Sequence, residues 1–289
     1  MRTITPIFFM TALVSGCAKH SATYEQGKAT GTSEESQALY EEAMKLWDAR
    51  DDGPHLTSAL EKFEAAYNAD PTNREAAIML TRGWYWHGDV KVDGQEAKLA
   101  AWDTAVSWGG RCMAVNSEFT ALLQKGDESE RTAIRAMKEE DAGCLYWTAS
   151  ALGKWAKLKG FTTLLKHKET VKAYITRVGE LNPSYFYAGP DRYWGAYYAV
   201  APSFAGGDVT KSGEHFDKSL EAQPGYLGTK VLKASLYATK MQDPDLFDQL
   251  LNDVLAANPD AIPELGPENR AEQDKAKKLQ ATKSDYFAN

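Results

Sequence analysis

The pattern of apolar positions beyond residue 33 predicts one helix after another. Runs rich in Ala, Leu, Glu and Lys carry apolar residues at intervals of three and four, and short groups of Gly, Pro, Asn and Asp separate these runs. We find no sustained alternation of apolar and polar residues, which is the pattern of a half-buried strand. The sequence therefore predicts an all-α fold, with residues 34–289 as a single domain.

Four of the predicted helices end near a proline and share a stripe of residues at fixed distances before it. The stripes are Ala59, Phe63, Ala66 before Pro71; Val171, Ile175, Val178 before Pro183; Ser212, Phe216, Ser219 before Pro224; and Phe247, Leu251, Val254 before Pro259. Offsets of three, four and seven share one face of a helix, and a proline cannot continue it. The small–aromatic–small stripes are typical of the second helix of a tetratricopeptide repeat. They predict tetratricopeptide-like helical hairpins in a solenoid-like domain, with an irregular helical centre between the first two prolines.

The stretch GGDVTKS, residues 206–212, has some of the residues of a phosphate-binding loop. Such a loop needs a glycine directly before the lysine and a strand before the glycines. Thr210 stands before Lys211, and the preceding segment has a helical pattern. We interpret the two glycines as a turn and Asp208 as the N-cap of a repeat helix, whose carboxylate accepts hydrogen bonds from the first free N–H groups.

Two segments are candidates for a cavity wall. Residues 185–198 contain seven aromatic side chains in fourteen positions, and residues 142–153 carry no charge. Close to the second segment, Trp147 and Trp155 are accompanied by Lys154 and Lys157. Packing between helices explains most of these rings, and a pocket or pore lined by the remainder is the functional alternative. The aromatic residues at 84–87 are interpreted as packing.

The N-terminus predicts export and lipid anchoring. Arg2 precedes an apolar stretch of about 11 residues, which is shorter than the roughly 20 needed to span a bilayer as a helix. Val14-Ser15-Gly16-Cys17 resembles a bacterial lipobox, so we predict a signal peptide over 1–16, acylation of Cys17 and a polar tether over 17–33. An ordinary secretory signal with an incidental cysteine is the alternative. Ala18 favours sorting to the outer membrane.

Composition and motifs exclude several classes of function. The formal net charge is −7 and no basic patch is visible, which argues against nucleic-acid binding. We find no metal-ligand spacing of Cys and His and no nucleophile motif, so we predict neither a metal site, nor a cofactor, nor an enzyme. Cys112 and Cys144 are either a disulfide of an oxidising compartment or two buried thiols.

Residues 195–238 and 243–279, together with 145–158 and the lipobox, resemble the TRAP transporter T-component family of TatT-like lipoproteins. The resemblance implies a periplasm-facing lipoprotein of tetratricopeptide-type hairpins that accompanies the solute-binding protein of a tripartite uptake system. It also implies homo-oligomers around a central hole and a passage for ligand. Under this hypothesis, the candidates for contact with a ligand or partner are Trp147, Trp155, Trp194, Tyr197, Tyr198, Asp208, Lys211 and Lys230. The alternative is a scaffold lipoprotein whose open repeat surface holds an envelope protein.

Overall fold

A computed structural model of the chain describes residues 24–124 and 129–287. The helices of the first half are α1 (Ser33–Trp47), α2 (Gly53–Ala69), α3 (Arg74–Trp86), α4 (Gln95–Ala114), α5 (Ser117–Gln124), α6 (Glu130–Ala133) and α7 (Ala142–Lys159). Those of the second half are α8 (Phe161–Leu181), α9 (Tyr185–Val200), α10 (Val209–Ala222), α11 (Leu227–Leu232), α12 (Thr239–Met241), α13 (Pro244–Ala256) and α14 (Gly266–Ala281). These residues contain no strand, which confirms the all-α fold.

Most helices pack in pairs along the chain. Helix α1 packs on α2, α3 on α4, α7 on α8 and α9 on α10, and the helical segment from α11 to α12 packs on α13. Helix α4 also packs on α7 and so joins the α3–α4 pair to the α7–α8 pair, while α5 and α6 are short helices between α4 and α7 in the chain. Short connections between paired helices give antiparallel hairpins. Their tetratricopeptide identity stays a prediction.

The four predicted stripes lie in the interior. All twelve stripe residues are buried, and those with an aromatic ring, Phe63, Phe216 and Phe247, are completely covered. Helices α2, α8 and α10 each end two residues before the proline of their stripe, and α13 ends three residues before its own. Periodicity therefore located both the buried face and the end of each of these helices.

Helices α4 and α7 approach each other closely at two points. A Cβ atom added to Gly109 would lie 1.9 Å from Thr148 Oγ1, so only a glycine fits there. One turn further along α4, Cys112 forms a disulfide with Cys144, with 5.4 Å between their Cα atoms. Of the two alternatives that the sequence allows for these cysteines, the structure contains the bridge.

The predicted tether is described from residue 24 onward, and this part lies against α2. The backbone N–H groups of Thr30 and Gly31 donate to the carbonyls of Asn68 and Ala69 at 2.9 and 3.2 Å. Residues 1–16 and Cys17 lie outside the described residues. No helix in the described ranges is long and apolar enough to cross a bilayer.

Candidate functional site

The helices enclose a cavity of about 630 Å³. Its wall comes from α3, α7, α9 and α11, which are the first helices of four hairpins, together with the first half of α8 and the length of α14. The lining is mainly apolar and aromatic, with Trp86, Trp147, Phe186 and Tyr226 among its rings. Pockets for small ligands measure roughly 300–1,000 Å³, so this cavity has the size of a binding site.

Helix α14 closes the cavity, and a buried ion-pair cluster attaches it to the first hairpins. Glu268 receives hydrogen bonds from Arg50 and from Arg82, whose guanidinium nitrogen lies 2.7 Å from Glu268 Oε1. The side chains of Arg50 and Glu268 are only 1% and 6% exposed. Burial alone would raise the pKa of Glu268, but the charges of Arg82 and Arg50 outweigh burial and hold it below its usual range. The carboxylate therefore stays ionised and holds the two ends of the chain together.

A second set of ion pairs crosses the cavity wall at Asp89. Its carboxylate lies 2.5 Å from Lys154 Nζ on α7 and 2.6 Å from Lys275 Nζ on α14. Lys275 also pairs with Glu272, at 2.7 Å. Asp89 lies in a π-helical turn, His87–Lys91, at the end of α3. Such wider turns occur often at functional sites, and here the turn places a carboxylate in the wall between two helices.

We expect the Asp89 carboxylate to make the protein resist acid down to about pH 4. Burial would raise its pKa, but Lys154 and Lys275 outweigh burial and hold it well below the usual range. The contribution to stability is therefore complete above the unfolded-state pKa of about 4 and is lost as the pH falls through the lower folded-state value. Asp89→Asn should lose about 2 kcal/mol at pH 7 and show a flatter decline below pH 4. Denaturant unfolding of both proteins at pH 7, 4 and 3 measures both effects. If the free energy of unfolding fell equally in the two proteins between pH 4 and pH 3, the assignment would be contradicted.

A left-handed turn opens α9 at the cavity. Phe186, Tyr187 and Ala188 have φ values of 44°, 56° and 55°, a region that residues other than glycine seldom adopt. Arg192 holds this turn by donating to the carbonyl oxygens of Phe186 and Tyr187 at 3.0 and 2.8 Å. The turn directs the Phe186 ring against Trp147, with 4.5 Å between ring centroids. A strained backbone held by a buried arginine thus shapes one wall of the cavity.

The cavity opens to solvent between α8 and the end of α9. Phe161, Leu165 and Val200 line the cavity and are also exposed, and Phe204 lies beside them with 79% of its surface exposed. Phe161 and Phe204 are in edge contact, with centroids 6.5 Å apart. We call these four residues the apolar rim.

Positive charge exceeds negative charge in the cavity wall, although the whole chain is acidic. The cationic side chains are Lys154, Lys157, Lys168, Arg192, Lys275 and Lys278, and the carboxylates are Asp89, Glu268 and Glu272. Arg50 and Arg82 already neutralise Glu268 from outside the lining. Within the part of the chain that the structure describes, Lys157 and Lys278 form no ion pair with a carboxylate. The cavity is therefore suited to a negatively charged ligand.

The structure brings only part of the predicted site together. Trp147 and Tyr197 line the cavity, as do Lys154 and Lys157, which the sequence placed near a possible cavity wall. Trp155 is buried in the core. Trp194 is partly buried between Tyr197 and Tyr198, and the ring of Tyr198 stacks on His215.

The remaining candidates lie outside the cavity lining. Asp208 caps α10, and its carboxylate accepts a hydrogen bond from the backbone N–H of Lys211 at 3.1 Å. The Lys211 side chain is more than half exposed, and Lys230 pairs with Asp253 at 2.9 Å. A role of these residues in contact with a partner stays a prediction.

Sequence reasoning missed the residues that close the cavity. Glu268, Glu272 and Lys275 belong to α14, which has too few apolar residues to predict burial. Arg192 was only one polar residue inside an aromatic segment. Asp89 carried a weak signal, because it follows the aromatic residues at 84–87, which were interpreted as packing.

Fold and site together define a protein of helical hairpins that encloses a ligand-sized cavity. A family model described as TRAP transporter T-component (TAtT) matches residues 56–287. The match covers most of the chain, so the chain belongs to this family, as the sequence resemblance implied. The comparison with curated proteins gives no match. Membership makes the protein an envelope-associated accessory component of TRAP transport.

Proposed function

We propose that the protein is a non-catalytic, periplasm-facing lipoprotein that binds the solute-binding protein of a TRAP-type system and holds a small ligand. Acylation of Cys17, after removal of residues 1–16, would anchor it, and Ala18 favours the outer membrane. Family membership supports the link to transport. The observation that carries the ligand role is the ligand-sized cavity, whose lining contains more cationic side chains than carboxylates.

The apolar rim supports a protein partner at the cavity opening. Its four residues leave apolar surface in water beside the opening, and Phe204 is the most exposed of them. Exposed apolar patches commonly mark interaction surfaces. Because Phe161, Leu165 and Val200 also line the cavity, a solute-binding protein docked there would face the ligand directly.

The alternative function, a scaffold for an extended envelope protein, needs an open groove on the concave surface of the repeats, with exposed polar and charged side chains. Here helix α14 covers part of the cavity and is attached there through Glu268 and Lys275. This observation favours the ligand-holding function over the scaffold.

Site-specific crosslinking in intact cells tests the partner. A photo-reactive amino acid at Phe204 should crosslink to the solute-binding protein, and the same group at Glu61, on an exposed position of α2, should not. Mass spectrometry identifies the product. Crosslinks from Phe204 to an unrelated envelope protein, with none to a solute-binding protein, would instead favour the scaffold function.

A further inference from the structure

The distribution of charge and apolar surface in the cavity restricts the chemistry of its ligand. Leucine side chains from three helices line the cavity, namely Leu164 on α8, Leu232 on α11 and Leu279 on α14, and we call them the aliphatic wall. An aliphatic wall favours contact with an apolar chain. It cannot replace the hydrogen bonds that a small hydrated anion, such as a dicarboxylate, makes with water. The ligand therefore needs an apolar portion.

The wall also contains a positive charge that no carboxylate in the described residues neutralises. Lys157 lies one turn after Lys154 on α7, and both line the cavity. Lys154 is paired with Asp89, whereas Lys157 forms no ion pair among the described residues. Partial burial lowers the pKa of Lys157, and the positive charge of Lys154 lowers it further. An anionic group beside Lys157 would relieve this repulsion.

The position of Lys157 sets the orientation of such a ligand. Lys157 lines the cavity and is also exposed to solvent, so it lies at the opening. The same holds for Lys278 and for the rim residues Phe161 and Leu165. The deeper wall contains the buried rings of Trp86 and Trp147. An anionic head at the opening and an apolar chain directed inward would match both parts of the cavity.

We propose that the cavity binds an amphipathic anion, in which one carboxylate or phosphate head contacts Lys157 and an aliphatic chain packs on the aliphatic wall. This inference rests on the ligand-holding role proposed above and is independent of the protein partner. The positive charge of Lys154 also attracts the anionic head group, while the ion pairs with Asp89 keep Lys154 and Lys275 in place. A neutral molecule with the same chain would lack the interaction with the ammonium group.

Calorimetric titration of the chain from residue 18, which retains every described residue, tests this proposal with three probes. Dodecanoate has both head and chain, dodecanol has the chain without charge, and succinate has charge without the chain. We expect dodecanoate to bind at least about tenfold more tightly than either of the others. Dodecanol binding as tightly as dodecanoate, or no binding of dodecanoate, would overturn the proposal.

A pair of lysine variants assigns the head to Lys157. Lys157→Gln should weaken dodecanoate about tenfold and leave dodecanol unchanged. Lys166→Gln removes the same charge from an exposed position of α8 outside the lining and should change neither. Equal weakening by both variants would show general attraction by the protein's charge and overturn the assignment. Because Phe204 crosslinking reports the partner alone, a failure here is distinct from a failure of the transport role.

Discussion

Replacing Glu268 by Gln should destabilise the protein by about 3–5 kcal/mol, because it leaves two guanidinium groups without their carboxylate. Arg50 is almost completely buried, and its remaining partners are the carbonyl oxygens of Trp47 and Glu264. Carbonyl dipoles solvate a cation but do not neutralise it. For a chain of this size, the loss corresponds to a fall in melting temperature of about 10 °C, which thermal unfolding followed by circular dichroism will measure.

Asp274→Ala is the matched control for Glu268→Gln. It removes a carboxylate from the same helix, but Asp274 is 67% exposed and, among the described residues, pairs with Lys277 alone. An exposed pair of this kind contributes at most about 0.5 kcal/mol. If Glu268→Gln were as mild as the control, the buried cluster would not be what attaches α14 to the first hairpins.

Replacing both Cys112 and Cys144 by Ala should cost about 3–4 kcal/mol. The bridge closes a loop with a sequence separation of 32, and the chain-entropy model gives this magnitude for a loop of that length. Both residues are completely buried between α4 and α7, so the loss of two sulfur atoms adds to the cost. Denaturant unfolding of the double variant measures the difference.

Reduction of the unmodified protein provides the control for the double cysteine variant. Unfolding in the presence of dithiothreitol should show a smaller loss than the double variant, since it breaks the same bond but leaves both side chains in place. Dithiothreitol should have no effect on the double variant. Stability unchanged by reduction would mean that the two thiols contribute as buried side chains, which is the alternative that the sequence left open.

The sequence predicted those parts of the fold that follow from local physics. A stripe such as Ala59, Phe63 and Ala66 needs only helical periodicity to be identified as buried, and all of its members are. Asp208 can be identified as an N-cap from its position before an amphipathic run alone, and it caps α10 as expected. Lys154 and Lys157 were placed near a cavity because their uncharged neighbours on α7 predicted a buried helix.

The closure of the cavity could not be predicted in the same way. The pairs of Glu268 with Arg50 and of Lys275 with Asp89 join residues 218 and 186 positions apart, and no periodic pattern relates such positions. The left-handed turn at 186–188 gave no signal either, because glycine, the usual marker of positive φ, stands at none of its three positions.

The attachment of α14 to the first hairpins also has a consequence for the order of folding. Each hairpin joins neighbouring segments and can form as soon as its own two helices exist, whereas the contacts of Glu268 and Lys275 require nearly the whole chain. Contacts between distant segments carry the larger loop-closure cost and form late. Until residues 266–281 are in place, the side of the cavity that α14 covers therefore stays open to solvent.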